Sequence, residues 1–436
     1  MRIRDLLEID YVLLLATVVL AVFGVLFIYS SAVTSTGVLV SEEYIKQIIW
    51  VIAGLFIVLI LAMVDYRRLR DLTVYLYLGT LALLVYTCLF GKLVNGARAW
   101  IGIGSFGIQP SEFAKISTII LLARYLDDTR RSSTGFFRFI VSCLIVLVPM
   151  GIILVQPDFG TSLVFIPILV TMAFVAGISM QYIFFLIACI SITAVLTVLP
   201  LWQRNIMHNT IPSLEILTNS RFVLSCMVAL GVIAGIALIG FLLYKRRYFF
   251  WILYSSMIVI LSLGLSYVAR RVLRDYQIQR LIVFLDPDVD PQGAGWHIIQ
   301  SITAIGSGGL TGKGYLQGTQ SHYRFLPQQS TDFIFSIFTE EWGLLGGLLV
   351  FVLFLLICLR LVRIMRTTSD CFGVYIAAGL AGVYVFHFLV NVGMTMGIMP
   401  ITGIPLLFMS YGGSSIISAM TGIGLALSIY VRRYTH

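Results

Sequence analysis

The sequence predicts an all-α polytopic membrane protein, a helical bundle of about twelve transmembrane segments with both termini in the cytoplasm. Three observations predict it. Of 436 residues, 59% are hydrophobic and only 11% charged, where soluble domains carry about 25% charged residues. Apolar runs long enough to cross a bilayer as helices recur along the whole chain. Arginine and lysine gather in alternate connections between those runs, which is the positive-inside pattern.

Taken in order, Met1 to Asp10 is a charged lead, and the run from Tyr11 to about Val33 has spanning length without a small-residue cleavage signal. It therefore reads as a retained first helix. The twelve segments fall near 11–33, 47–65, 72–91, 111–126, 137–155, 159–178, 180–200, 221–244, 248–270, 333–360, 372–396 and 411–431. The fourth is short and interrupted by Glu112 and Lys115. With the N-terminus inside, the inner connections hold Arg67, Arg68 and Arg70; Arg130, Arg131 and Arg138; Lys245, Arg246 and Arg247; Arg360, Arg363 and Arg366; and Arg432 and Arg433. Only the connection near 178–181 lacks a basic residue, and the opposite orientation would break the rule almost everywhere. The net charge of +9 thus follows from topology and does not call for nucleic acid. The six cysteines lie in or at the ends of apolar runs, without metal or redox spacing, as small packing residues do.

Four outward connections then carry nearly all the Gly/Pro-rich polar sequence: 92–110, 156–161, 271–332 and 397–414. Gathering such material on one side builds a site facing one compartment. The third is the longest. A long polar stretch in a compact protein is functional or disordered, and Trp296, Ile298, Ile299, Tyr315, Tyr323, Phe325 and Leu326 give this one residues that can pack. The region 271–332 is therefore expected to be a large extracytoplasmic catalytic loop within a single membrane domain spanning 1–436.

Glu112 and Lys115 are spaced i, i+3, so they share a helix face at the outer end of their segment. Charges at that depth are costly and line a cavity or pair with one another; a site edge and a structural ion pair are both open. Arg270, Arg271, Arg274 and Arg280 lie outside, against the general trend. Between Arg271 and Leu285 cations alternate with apolar residues, the pattern of an interfacial amphipathic helix. Its cations suit a phosphate headgroup, or generic lipid anchoring. His387 lies mid-membrane, where a hydrogen-bonded structural role is its default.

Two tempting templates fail. Asp286, Asp288 and Asp290 have calcium-loop spacing, but no glutamate follows at the required distance and Pro287 and Pro291 interrupt the loop. Gly306 to Gly314 looks like a phosphate loop, yet Ser307 stands where the first glycine belongs and Gly314 follows Lys313 where Ser or Thr is needed. A carboxylate beside apolar surface remains available as a general base.

These residues resemble the SEDS family over nearly the whole chain. The matching motifs are Gly96-Ala97…Trp100, Gln109-Pro110-Ser111-Glu112…Lys115, Gln156-Pro157-Asp158…Gly160-Thr161, Asp286-Pro287…Asp290-Pro291…Gly293…Gly295…Ile299-Gln300-Ser301 and Ala304-Ile305-Gly306-Ser307-Gly308-Gly309…Gly312-Lys313-Gly314. They continue with Gly318-Thr319-Gln320-Ser321, Phe325-Leu326-Pro327, Thr331-Asp332-Phe333-Ile334-Phe335, Glu340-Glu341…Gly343 and Ser410-Tyr411-Gly412-Gly413-Ser414-Ser415. The resemblance implies a SEDS-type helical bundle that polymerises peptidoglycan glycan strands from lipid II outside the cytoplasmic membrane and releases undecaprenyl pyrophosphate. It implies a class B penicillin-binding protein as transpeptidase partner, together with other proteins of the elongation complex. The family's essential outer-loop aspartate maps to Asp290. A sugar hydroxyl becomes a competent nucleophile once such a base takes its proton. The leaving pyrophosphate needs cations, from Arg98, Lys115, Arg280 and Lys313 or from a divalent ion, magnesium or manganese. Trp100, Glu112, Asp158, Gln300, Ser301 and Asp332 complete the expected substrate-binding set.

Three departures from the family pattern stand out. Ala99 occupies the position before Trp100 where relatives carry arginine, with Arg98 one residue earlier. Gln328 and Ser330 stand where Glu and His are common. The family pattern has ten spans, so the two extra segments imply an inserted helical region at 180–247, which leaves the sidedness of everything downstream unchanged. Two other function classes compete: a lipid II flippase, which would use the same charges, and a scaffold for the partner synthase. Outward polar loading favours external chemistry over transport, and a scaffold leaves Asp290, Glu112 and Lys115 without a purpose.

Overall fold

The computed structural model describes residues 9–94, 96–103, 106–131, 134–203, 219–272, 275–286, 293–326 and 328–434. Among them, ten helices are long and apolar enough to cross a membrane. They are α1 (Tyr11–Ala32), α2 (Glu43–Met63), α3 (Leu69–Phe90, led in by a 3-10 turn at Tyr66–Arg68), α5 (Gly135–Val155), α8 (Met180–Trp202), α9 (Ser220–Tyr244), α10 (Arg247–Val272), α14 (Ile334–Thr367), α15 (Cys371–Thr395) and α16 (Gly413–Val431). The expected fourth and sixth spans are also helical. However, α4 (Pro110–Asp128) carries Glu112, Lys115, Arg124, Asp127 and Asp128, and the second is the short pair α6 (Phe159–Leu163) and α7 (Phe165–Val175). Ten, rather than twelve, meet the requirements of length and apolarity, because charge density removes one and length the other.

Region 271–332 is not one open loop. It contains the end of α10, then α11 (Asp275–Leu285), α12 (Ala294–Ser307) and the short α13 (Thr319–His322). The connection 92–110, in a chain expected to be all-α, folds as a three-stranded antiparallel sheet, β1 (Lys92–Val94), β2 (Ala97–Ile103) and β3 (Phe106–Ile108), in order β1-β2-β3.

The helices cluster into two compact units: Met1–Ile178 with Gln300–His436, and Ser179–Ile299. The second begins beside the expected inserted region but runs past 247 to Ile299. In it, α9 and α10 make a hairpin turned by Lys245, whose backbone is left-handed (φ 48°), and Gly240 lies against the Phe249 ring. Helix α8 packs on α10, with Tyr254 donating to the Gln181 carbonyl (2.7 Å) and Ser262 to that of Cys189 (3.3 Å).

In the first unit, α15 and α16 are mostly buried, whereas α2 and α3 are mostly exposed. The former are the centre of the bundle and the latter present a broad apolar face outward. Without a hydrophobic drive between helices in lipid, close backbone approach at small residues does the packing. Gly54 of α2 meets Met420 of α16, Gly424 meets Val58 and Leu61, and Gly413 lies on the Trp50 ring. Gly379 and Gly382 of α15 seat Met172 and Thr171 of α7 in the same way.

The connections sort to the two ends of this unit by chemistry. At one end, Gln109 N–H donates to Ser414 Oγ (2.9 Å), Tyr411 N–H to the Ser330 carbonyl (2.7 Å), and Ser35 N–H to the His322 carbonyl (3.2 Å); Gly160 abuts the Thr402 carbonyl. Parts of all four Gly/Pro-rich connections are thereby joined. At the other end, Arg70 pairs with Asp127 (2.9 Å) and Asp128, Arg360 with Asp10 (3.4 Å), Tyr66 donates to Asp370 (2.9 Å), and Arg432 caps the carbonyls of Ala62 and Met63.

Candidate active site

Beneath the joined polar connections lies a buried charge cluster. Helix α4 begins with Pro110 at its first turn, a position where the missing N–H costs nothing and the fixed φ favours the helix. Glu112 sits in that first turn, where the helix dipole favours an anion. One turn on, Lys115 Nζ lies 2.8 Å from Glu112 Oε2. The residues are 4% and 1% exposed, so this is an ion pair removed from solvent, with no water to replace a lost partner. Lys115 Nζ is also 3.2 Å from His387 Nε2 on α15. Ser418 of α16 donates to the Glu112 carbonyl (2.8 Å). Ser111 Oγ, 1% exposed as a residue, has no hydrogen-bond partner among the described residues.

Asp158 joins from the connection between α5 and α6. Its Oδ1 accepts from Thr161 N–H (3.2 Å), capping α6, while Oδ2 accepts from Thr161 Oγ1 (2.8 Å) and Gln109 Nε2 (2.7 Å). Burial pushes the Asp158 carboxyl above the usual carboxylate range; the Thr161 bonds oppose this, Glu112 adds to it and Lys115 counters it. Asp158, Glu112 and Lys115 therefore act in one electrostatic neighbourhood.

Above them, β2 carries Arg98 and Trp100. Leu93 pairs with Arg98 and Lys92 with Trp100, so Ala99 is an extra residue on β2, a bulge that re-aims its neighbours. Ala99 is buried and Arg98 exposed. The Trp100 ring covers Gly107, leaving no room there for a Cβ. The bulge is the local structure behind the shifted arginine of the sequence.

A second cluster anchors residues 307–322. Lys313 Nζ donates to Ser307 Oγ (2.7 Å), Thr319 Oγ1 (2.7 Å) and Glu340 Oε1 (2.8 Å). Glu340, fully buried on α14, also accepts from Gln320 N–H (2.8 Å) and Ser321 N–H (3.3 Å). Its neighbour Glu341 accepts from Ser30 Oγ and from Leu316 N–H (3.1 Å). The glycine-rich run belongs to this anchor: a Cβ at Gly308 would strike the Thr339 carbonyl, and one at Gly312 the Glu341 carbonyl. The glycines let backbone pass against α14.

The structure thus brings together Glu112, Lys115 and Asp158 of the expected set, with Arg98 and Trp100 on the sheet that leads into α4. Ser301 is fully buried, its hydroxyl at 2.7 Å from both Ser336 Oγ and the Thr395 carbonyl; like Lys313, it has its polar atoms engaged within the protein. Gln300 and Asp332 are half-buried, and Asn391 Nδ2 holds the Asp332 carbonyl (3.0 Å). Arg280 lies half-buried on α11 of the second unit. Asp290, Asp288 and Pro291 fall outside the described residues. Sequence reasoning missed His387 as a partner of Lys115 and Glu340 as the partner of Lys313. For His387 the only signal was an ionisable side chain in mid-membrane. Among the described residues no three His, Cys, Asp or Glu side chains gather as a metal site.

A multi-pass membrane protein with buried charges under a roof of polar connections is the class that fold and site define. A family model described as "Cell cycle protein" (FtsW/RodA/SpoVE) matches residues 11–215 and 203–435. The chain belongs to that family, the SEDS proteins. It is 50% identical to the peptidoglycan glycosyltransferase RodA of Treponema pallidum, over 99% of this chain and 100% of the relative. It is 32% identical to the peptidoglycan glycosyltransferase MrdB of Escherichia coli K12, over 98% and 95%. A solved structure, reported under the coordination of polymerization and crosslinking by a peptidoglycan synthase complex, superposes with a TM-score of 0.66 at 24% identity, covering 98% of this chain and 99% of that one.

Proposed function

We propose that this chain is a peptidoglycan glycosyltransferase that polymerises lipid II at the outer face of the cytoplasmic membrane, in cell elongation and shape. The single observation that carries this is its end-to-end match, at 50% identity, to a protein named for that activity. The buried Glu112–Lys115 pair beneath the polar connections fits it: a fixed cation in a low-dielectric setting stabilises developing negative charge far more than a solvated one. In this reading Asp290 takes the proton from the attacking sugar hydroxyl. The cations expected to offset the departing pyrophosphate are Lys115, Arg98 and Arg280, and undecaprenyl pyrophosphate leaves. Direct displacement inverts the anomeric centre. Asp158 and Gln109 hold the entry to α4, Trp100 offers an apolar ring beside them, and Ser301 and Lys313 position the segments that carry Gln300 and Asp332.

The polar connections face outward, so the arginine-rich end and both termini are cytoplasmic, and the twelve helical segments weave between the two sides. A class B penicillin-binding protein crosslinks the product as partner, supported by the synthase complex to which this fold is similar. The test is polymerisation of purified lipid II without any other polymerase. Glycan chains from the wild-type chain and none from a folded Asp290→Asn variant are expected. Transbilayer movement of lipid II without chains would instead make this a transporter.

A further inference from the structure

His387 does more than fill the bundle. It sits on α15, 1% exposed, between two partners on different elements. Its Nδ1 is 3.0 Å from the carbonyl oxygen of Pro405, and its Nε2 is 3.2 Å from Lys115 Nζ. A carbonyl can only accept, so Nδ1 carries the ring proton. Nε2 is then a lone pair directed at an ammonium that can only donate. A doubly protonated ring would set N–H against N–H in a buried site where Glu112 is the nearby anion and Lys115 already its cation. The geometry therefore selects one tautomer of a neutral imidazole.

The next turn repeats the arrangement. Asn391, four residues on and on the same helix face, donates Nδ2 to the Ile404 carbonyl (2.8 Å) and the Asp332 carbonyl (3.0 Å). Two polar side chains of α15 thus hold the consecutive carbonyls of Ile404 and Pro405 in the connection 396–412, and His387 alone also reaches the charge pair. Lys115 has three N–H donors. His387 Nε2 takes one, while Glu112 holds the ammonium from another side as an ion pair at 2.8 Å. Without His387 the ammonium would pivot about a single carboxylate.

We infer that His387 is a positioning residue for Lys115: a neutral imidazole, fixed by its Nδ1–H on the Pro405 carbonyl, that accepts from the Lys115 ammonium and ties it to the polar connection above. For its catalytic consequence this rests on the glycosyl-transfer reading; the Lys115–His387 coupling does not.

Two substitutions separate the two ends of the ring. In His387→Asn the amide overlays Nδ1 and reaches Pro405 but not Lys115. In His387→Gln the amide oxygen reaches the Nε2 position. With the purified full chain and lipid II, H387N should lower kcat about tenfold or more, the scale of one lost hydrogen bond to a charged group, with KM changed less. H387Q should recover most of that loss. Equal rates for H387N and wild type, or an H387Q no better than H387N, would overturn the assignment. A thermal-unfolding cycle reads the coupling without activity: H387N should lower Tm by less in a Lys115→Met background than in the wild type. The same loss in both backgrounds sinks the coupling. A wild-type chain that fails to polymerise lipid II while the cycle shows coupling removes the proposed reaction and leaves the Lys115–His387 link standing.

Discussion

Lys313 and Glu340 are 2.8 Å apart, across 27 residues of sequence, and each satisfies the other's surroundings. The ammonium uses its three donors on Glu340, Thr319 and Ser307, and the carboxylate collects the backbone N–H groups of Gln320 and Ser321 as well. Lys313→Met is therefore expected to loosen 307–322 and to cost about 1.5–3 kcal/mol, the scale of a hydrogen bond to a charged group. Lys313→Arg should fall between Met and wild type, because a planar guanidinium cannot address three acceptors arranged around one nitrogen. Limited proteolysis with mapping of the cut sites checks both. Wild-type resistance of the Met variant would remove Lys313 from this role.

The Glu112–Lys115 pair makes a second prediction. Glu112→Gln leaves a buried ammonium without its counter-charge and should destabilise by about 3–5 kcal/mol. Adding Lys115→Met removes the stranded charge, so the double variant should regain much of the lost Tm. It should regain no polymerisation, since the cation is then absent. Thermal unfolding in detergent beside a lipid II assay separates the two; a double variant less stable than Glu112→Gln alone would contradict the pairing.

Asp158 offers a third. Its carboxyl is raised by burial, and asparagine caps a helix about as well as aspartate. Asp158→Asn should accordingly keep the α6 cap and stay within about 1 kcal/mol of wild type, whereas Asp158→Ala should lose about 1 kcal/mol for the cap and free Gln109. If Asn and Ala unfold at the same temperature, the Oδ1 cap on Thr161 N–H contributes nothing measurable.

Much of this was legible from the chain. Helical segments follow from composition, because a bilayer demands long apolar runs, and the arginine pattern foretold which connections would meet at each end of the first unit. Glu112 and Lys115 announced themselves because their i, i+3 spacing is a local signal. The contacts that sequence reasoning missed are long-range: Lys115 and His387 are 272 residues apart, and no local period encodes such a pair. The sheet at 92–108 was hidden because its strands are short and broken by glycine and the Ala99 bulge, so alternation never runs long enough to be read. The glycine run 306–314 was recognised as no phosphate loop, but its purpose, close passage against α14, depends on a partner helix about thirty residues downstream.

That passage yields the last prediction. Gly343 interrupts α14 with a left-handed backbone, φ 64° and ψ −163°, in a region where a side chain is strongly disfavoured. A Cβ there would also strike Gly312 N and the Leu310 carbonyl. These contacts explain the break: Leu344 N–H donates to the Gly309 carbonyl (2.9 Å) and Leu345 N–H to that of Leu310 (3.1 Å), bonds a regular helix would keep for itself. Gly343→Ala therefore faces two costs, backbone strain of about 1–3 kcal/mol and the loss of this docking, whereas Gly347→Ala meets only the side-chain ends of Thr339 and Phe335. The Gly343 variant should unfold at a clearly lower temperature than the Gly347 variant and expose 307–322 to protease. Equal stability of the two would mean that the glycine run can lie against α14 without the break at Gly343.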